Sequence, residues 1–222
     1  AASDVYKRRV QEPAAIKWAL GENPKSVYHD KDETPVTRMA TAAILRETLK
    51  KAQEYAAHCD KAAENSDEDM PDYEMKYDAL RPLLCQKIPA HIHAHRADDI
   101  FTGLRICKEF DLRPVIVHGS GAHTIAQDLA EMEIPVLSGP FLTDRSKPEL
   151  RDLTERSPAI LSKAGVKVAI TTDHPETPVK YLMHCATVAA EQGMEEQEAL
   201  RAITRYPAEI LGLGERIGSL CA

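Results

Sequence analysis

The stretch KIPAHIHAHRADDI, Lys87 to Ile100, decides how the rest of the chain is read. His91, His93 and His95 occupy every second position in it. Side chains alternate faces along an extended strand, so the three imidazoles would share one side. Strand interiors favour Val and Ile, and three histidines there call for a chemical reason. The run that follows, DDIFTGLRICKEF, has the apolar spacing of an amphipathic helix. The unit is therefore strand, then helix, with polar residues where the strand ends.

The same unit recurs in both directions. AAIKWAL reads as a strand, followed by the turn-like GENP. TRMATAAILRETLKKAQEYAAH places Ile44, Leu45, Leu49, Ala52 and Ala56 at helical spacing, and YEMKYDALRPLL also reads as helical. Beyond the histidines come RPVIVHG (strand), AHTIAQDLAEM (helix), IPVLSG (strand), PELRDLTERSPAILSKAG (helix) and VKVAITTD (strand), then mostly helical sequence. Strands alternating with helices of 10–15 residues indicate parallel βαβ units. A closed eight-stranded barrel takes about 250 residues. About five strands in 222 residues predict either an open sheet or part of a barrel. No repeat of fixed period appears.

In parallel α/β folds the carboxyl ends of the strands open on one face, where sites are built. His93 and His118 close two strands 25 positions apart, near the ~30 residues of one βαβ unit. Asp173 closes another strand 55 positions further on, about two units away. Each residue alone reads more readily as a hydrogen-bonded structural group. Together, two imidazoles and a carboxylate on one rim suit a divalent ion such as zinc. His95, also at the rim, is open to three readings: ligand, support for a ligand, or substrate contact. His91, deeper in the strand, reads as a packed interior residue. Lys17 lies inside AAIKWAL, where a buried charge is costly; either its stem packs while the amine reaches solvent, or it belongs to a metal site. The glycines of GLGERIG and HGSGAH read as turns, since neither has the full context of a phosphate-binding loop.

The bulk composition excludes some functions. Hydrophobic residues make up 43% and charged residues 28%, an ordinary balance for one globular domain over residues 1–222. The net charge of −7, with an acidic insertion around residues 60–80, disfavours nucleic-acid binding. Five scattered cysteines without a C-x-x-C pattern indicate a reducing compartment, hence a cytoplasmic location. No apolar run approaches the ~18 residues of a membrane span, so no membrane partner is expected. The chain opens with AASDV and stops at GSLCA, and both ends read as cut.

In order, IHAHRADDI, VIVHG, LSKAGVKVAITTDHP and ITRYPAEILGLGERIGSL resemble the metal-dependent amidohydrolases, nearest their imidazolonepropionase- and prolidase-like branch. ALGENPK and PVTRM resemble it too, so the similarity covers nearly the whole chain. The resemblance implies a (β/α)8 barrel, of the TIM-barrel type, with one or two divalent metals, zinc foremost, at its C-terminal mouth. It matches His93 to the ligand of the fifth strand, His118 to that of the sixth and Asp173 to the acid closing the eighth. Lys17 matches the fourth-strand lysine that bridges two metals once carboxylated. The family's first-strand His-x-His pair and its small β-domain have no counterpart here. The chain is thus expected to be an incomplete barrel, fourth to eighth strand, that either forms homo-oligomers or takes the missing strands from a second chain.

The implied reaction is hydrolysis of a non-peptide or dipeptide-type C–N bond in a small molecule. Metal-activated water is the attacking group, and Asp173 serves as general base and then acid. His95, Ser120 and His123 are candidate substrate contacts, with Arg145 on a neighbouring loop. Where a family member keeps one metal, the sixth-strand histidine contacts substrate instead. Two rival readings stand beside this one: a barrel segment that folds without turnover, and a doubly wound α/β protein whose histidines bind an anion.

Overall fold

The computed structural model describes residues 9–65 and 67–220. Its framework is one five-stranded sheet: β1 (Ile16–Ala19), β2 (Ala90–Ala94), β3 (Pro114–His118), β4 (Val136–Ser138) and β5 (Val168–Ile170). All pairings are parallel and the spatial order is β1-β2-β3-β4-β5. A doubly wound sheet reverses its strand order at a switch point. This one winds steadily in one direction, as strands do in a (β/α)8 barrel. The anion-binding reading on a doubly wound sheet is therefore set aside, and the fold is the α/β architecture of a TIM barrel, represented by five strands.

Register assigns the two faces of the sheet. Trp18, Ile92, Ile116, Val136 and Val168 form one row, which packs into the apolar core beneath the helices. Lys17, His91 and Val115 form a row on the opposite face, and Ala19, His93, Val117, Leu137 and Ala169 form the next. The second face corresponds to the inside of a barrel. Lys17 is exposed there, with its amine free to reach solvent.

Helix α1 (Glu22–His29) follows β1 where GENP suggested only a turn. Gly21, at φ +88°, ends the strand, and Glu22 and Pro24 are both tolerated in a first helical turn. Helix α2 (Arg38–Glu64) starts at Thr37, whose hydroxyl accepts the Ala40 N–H, and buries Ala42, Leu49, Ala52 and Cys59 along one stripe. The segment 73–84 forms two short helices, α3 (Met75–Asp78) and α4 (Arg81–Leu84), rather than one. Pro82 has no N–H to continue a helix, and it sits in the first turn of the second. In the acidic stretch, residues 67–70 are exposed.

Helix α5 (Ala97–Glu109) covers β2, burying Ile100, Gly103, Leu104 and Ile106. A 3-10 turn (Ala122–Ile125) leads into α6 (Ala126–Glu131). The run from Pro148 to Gly165 is not one helix either. A 3-10 turn (Pro148–Leu150) is separated from α7 (Ser157–Lys163), which has Pro158 in its first turn. A third 3-10 turn (Val179–Tyr181) precedes α8 (Leu182–Glu191), α9 (Glu196–Arg201) and α10 (Arg205–Ile210). Among the described residues no helix is long and apolar enough to cross a membrane.

Candidate metal centre

The carboxyl ends of β2 and β3 bring three imidazoles together. His93 is the fourth residue of β2, and His95 follows the end of the strand, two positions on. His118 ends β3 in register with Ala94, which would aim it at the helices. Its φ of +74° breaks the alternation and turns the ring toward His93. Left-handed backbone at a non-glycine residue is strained, and such strain concentrates at functional sites. The His93 and His118 ring centroids stand 4.5 Å apart, His93 and His95 4.9 Å, and His95 and His118 5.3 Å. All three residues are buried.

Each ring is oriented by a hydrogen bond. His118 Nδ1 donates to the Gly139 carbonyl at 2.8 Å, which leaves the Nε2 lone pair free. The Lys147 ammonium donates to Asn23 Oδ1 at 2.6 Å, and the Asn23 amide lies 3.1 Å from His93 Nε2. His95 Nδ1 lies 2.9 Å from Ser120 Oγ.

Burial pushes the His93 pKa down to about 3, helped by the His118 and His95 imidazoles and by Lys17 and Lys147. Burial, then His118 and Lys147, also brings His95 to about 3. His118 is lowered by burial too, against the upward pull of the Gly139 carbonyl and Asp173. Neutral imidazoles are the form that binds metals.

Asp173 follows β5 with φ +48°, its N–H bonded to Thr171 Oγ1 at 3.3 Å. It is exposed, and with Asn23, His93, His95, His118 and Lys147 it lines a cavity of about 200 Å3. Ser120 is buried behind His95 and does not line the cavity. Neither does His123, which is half-buried in the 3-10 turn Ala122–Ile125. Arg145 is exposed and donates to the Leu153 carbonyl at 2.7 Å. Lys17 stands beside His91 in register, outside the cavity lining.

The sequence reading missed Glu149, Asn23 and Lys147. Glu149 belongs to the 3-10 turn Pro148–Leu150, and its side chain is 0% exposed. One oxygen of Glu149 with His93 and His95 forms the group of metal-capable side chains among the described residues, their donor atoms all within 4.8 Å of one another. SKPEL carries no signal beyond a carboxylate beside apolar residues, and Asn23 sat in a segment read as a turn.

The profile of the Amidohydrolase family matches residues 27–222. The crystal structure of an amidohydrolase from Thermotoga maritima MSB8 superposes with a TM-score of 0.93 at 43% identity, covering 97% of this chain and 56% of that one. Amidohydrolase tasK of Hapsidospora irregularis is 25% identical over 222 residues, 93% of this chain and 22% of its own length. A second solved structure, an uncharacterized protein at 18% identity and a TM-score of 0.51, shares the fold over 70% of this chain. The chain thus spans about half of the Thermotoga protein and about a fifth of tasK. On the strength of the family match across residues 27–222, the chain belongs to the amidohydrolase family.

Proposed function

We propose that this chain carries the metal-binding and proton-transfer residues of a metal-dependent hydrolase acting on C–N bonds of small molecules. The supporting observation is a cavity at the strand ends that His93, His95, His118 and Asp173 all line. The donor set there fits a divalent ion: neutral imidazoles and, within reach of His93 and His95, a buried Glu149 oxygen, Oε1, with no hydrogen-bond partner among the described residues. His93 and His118 would hold the ion, with Asp173 beside them. Lys17 is a further candidate, as an anion after carboxylation.

A bound divalent ion supplies Lewis acidity, bringing the pKa of water toward ~7 and polarising a carbonyl. Asp173 takes the proton of the attacking water and returns it to the leaving nitrogen, as base and then acid. Its exposure suits this exchange with substrate. Asn23 and Lys147 hold the His93 ring in place through their two hydrogen bonds. Ser120 does the same for His95.

The experiment pairs zinc analysis of the purified chain with hydrolysis of a panel of N-acyl amino acids and dipeptides. The expected results are zinc uptake that falls by one equivalent in His118→Ala, and a rate lower by ~10²-fold or more in Asp173→Asn. No zinc uptake, or full turnover in Asp173→Asn, overturns the reading. A second reading is favoured by the exposure of Lys17 on the inner face of the sheet: a barrel segment that binds metal but turns nothing over alone. Zinc uptake with no hydrolysis on any substrate supports that one.

A further inference from the structure

Glu149 is buried beside His95 in a way that its structural role does not account for. Oε2 accepts the Glu22 N–H at 2.8 Å, which satisfies the amino end of α1. Oε1 is buried and has no hydrogen-bond partner among the described residues. An unpaired buried carboxylate oxygen is costly, and such groups are retained where something completes them. The backbone makes room for this carboxylate: Gly21 has φ +88°, and a Cβ there would lie 2.5 Å from Glu149 Oε2.

The nearest imidazole nitrogen is His95 Nε2, 3.8 Å from Oε1. That is too long for a hydrogen bond. Two donors of a tetrahedral zinc ion, each about 2.0–2.2 Å out, stand roughly 3.3–3.6 Å apart. The observed gap is within a few tenths of an ångström of that span. With the Nδ1 proton given to the Ser120 hydroxyl, His95 Nε2 carries the lone pair that a ligand needs.

We propose that Glu149 Oε1 and His95 Nε2 are ligands of a divalent cation, in a position distinct from the one that His118 and Asp173 face. His93, whose donor atom lies within 4.8 Å of both, stands between the two positions. The inference rests on reading the cavity as a metal centre, and it adds to that reading a second ion with its own ligands.

The test is zinc titration of the chelator-treated 222-residue chain, by calorimetry and elemental analysis. Wild type should take up two equivalents. Glu149→Gln, whose amide oxygen can still accept the Glu22 N–H, should lose one of them or bind it at least tenfold more weakly. His118→Ala should keep that equivalent and lose the other. A wild-type titration in Glu149→Gln overturns the proposal, as does one single equivalent that vanishes in both variants. If His118→Ala titrates like wild type while Glu149→Gln loses zinc, the proposal stands and the assignment of His118 falls. Should Glu149→Gln fail to fold by circular dichroism, zinc-edge anomalous scattering from wild-type crystals decides. A peak within ~2.5 Å of both Glu149 and His95 supports the position, and none there overturns it.

Discussion

Gly103→Ala should destabilise the chain, although helix propensity alone predicts the reverse. Alanine in a helix interior is favoured over glycine by about 1 kcal/mol. Gly103 sits in α5 against β2, the strand that carries His93. A Cβ there would lie 2.8 Å from Ile92 Cγ2, 3.1 Å from Ile92 Cδ1 and 3.2 Å from Leu20 Cδ1. Carbon pairs prefer about 3.5–4.0 Å, so helix and strand must separate by several tenths of an ångström. Ile92 is 0% exposed and Leu20 2%, which leaves neither side chain room to retreat. Overpacking of this kind costs about 1–3 kcal/mol, and three simultaneous contacts place it in the upper half of that range. Subtracting the propensity gain leaves a net loss of about 1–2 kcal/mol.

Urea unfolding measures this effect as a lower midpoint at constant m. With m near 2–3 kcal/mol/M, the shift is roughly 0.5 M. Ile92→Ala alone should cost about 2–5 kcal/mol for its cavity. In the double variant the new methyl fills part of that cavity, so the two losses should fall short of their sum by about 1–2 kcal/mol. A Gly103→Ala chain as stable as wild type, or strictly additive losses, would refute the close approach of α5 to β2.

Gly139→Ala combines φ +130° with a Cβ driven onto the Thr171 carbonyl oxygen, where neither backbone can yield. It should cost about 3 kcal/mol or more, a fall of roughly 6–12 °C in Tm. Gly165→Ala, at φ +94° with nothing within 4 Å, should cost only about 1 kcal/mol, and equal shifts in the two variants would count against the crowding. In chelator, the chain should lose stability on acidification from pH 6.5 toward 3. His93 and His95 have folded values near 3, so across that window the unfolded state binds more protons and stability rises with pH. The slope reaches at most about 1.4 kcal/mol per pH unit for each histidine, and urea midpoints that stay flat across the window would contradict the burial. Cys107 is buried and its thiol is pushed up to about 12, so a maleimide should leave it unmodified in the native chain while exposed Cys85 reacts. Peptide mapping that finds Cys107 labelled first would overturn this.

Much of the fold could be read from the chain because periodicity is local. The five strands and the helices over Arg38–Glu64 and Ala97–Glu109 stand where their apolar spacing places them. Helix boundaries were legible only where no proline intervened. Pro82 and Pro158 each open a new first turn, cutting segments whose spacing alone reads as continuous. Helix α1 escaped because GENP pairs turn-forming residues, and none of its residues is buried to leave a core stripe.

What the sequence determined by itself is the parallel α/β class, the family resemblance, and which strand ends carry His93, His118 and Asp173. These follow from alternation and order along the chain, which need no knowledge of distant contacts. The tertiary structure alone decided that His118 turns against its register at φ +74° to meet His93. It alone brought Glu149 from a later loop to within 3.8 Å of His95, and left Lys17 exposed on the inner face. A carboxylate 54 positions from its imidazole neighbour leaves no periodic trace. Its place depends on how the loops after different strands fold over one rim, and on a glycine with room for it.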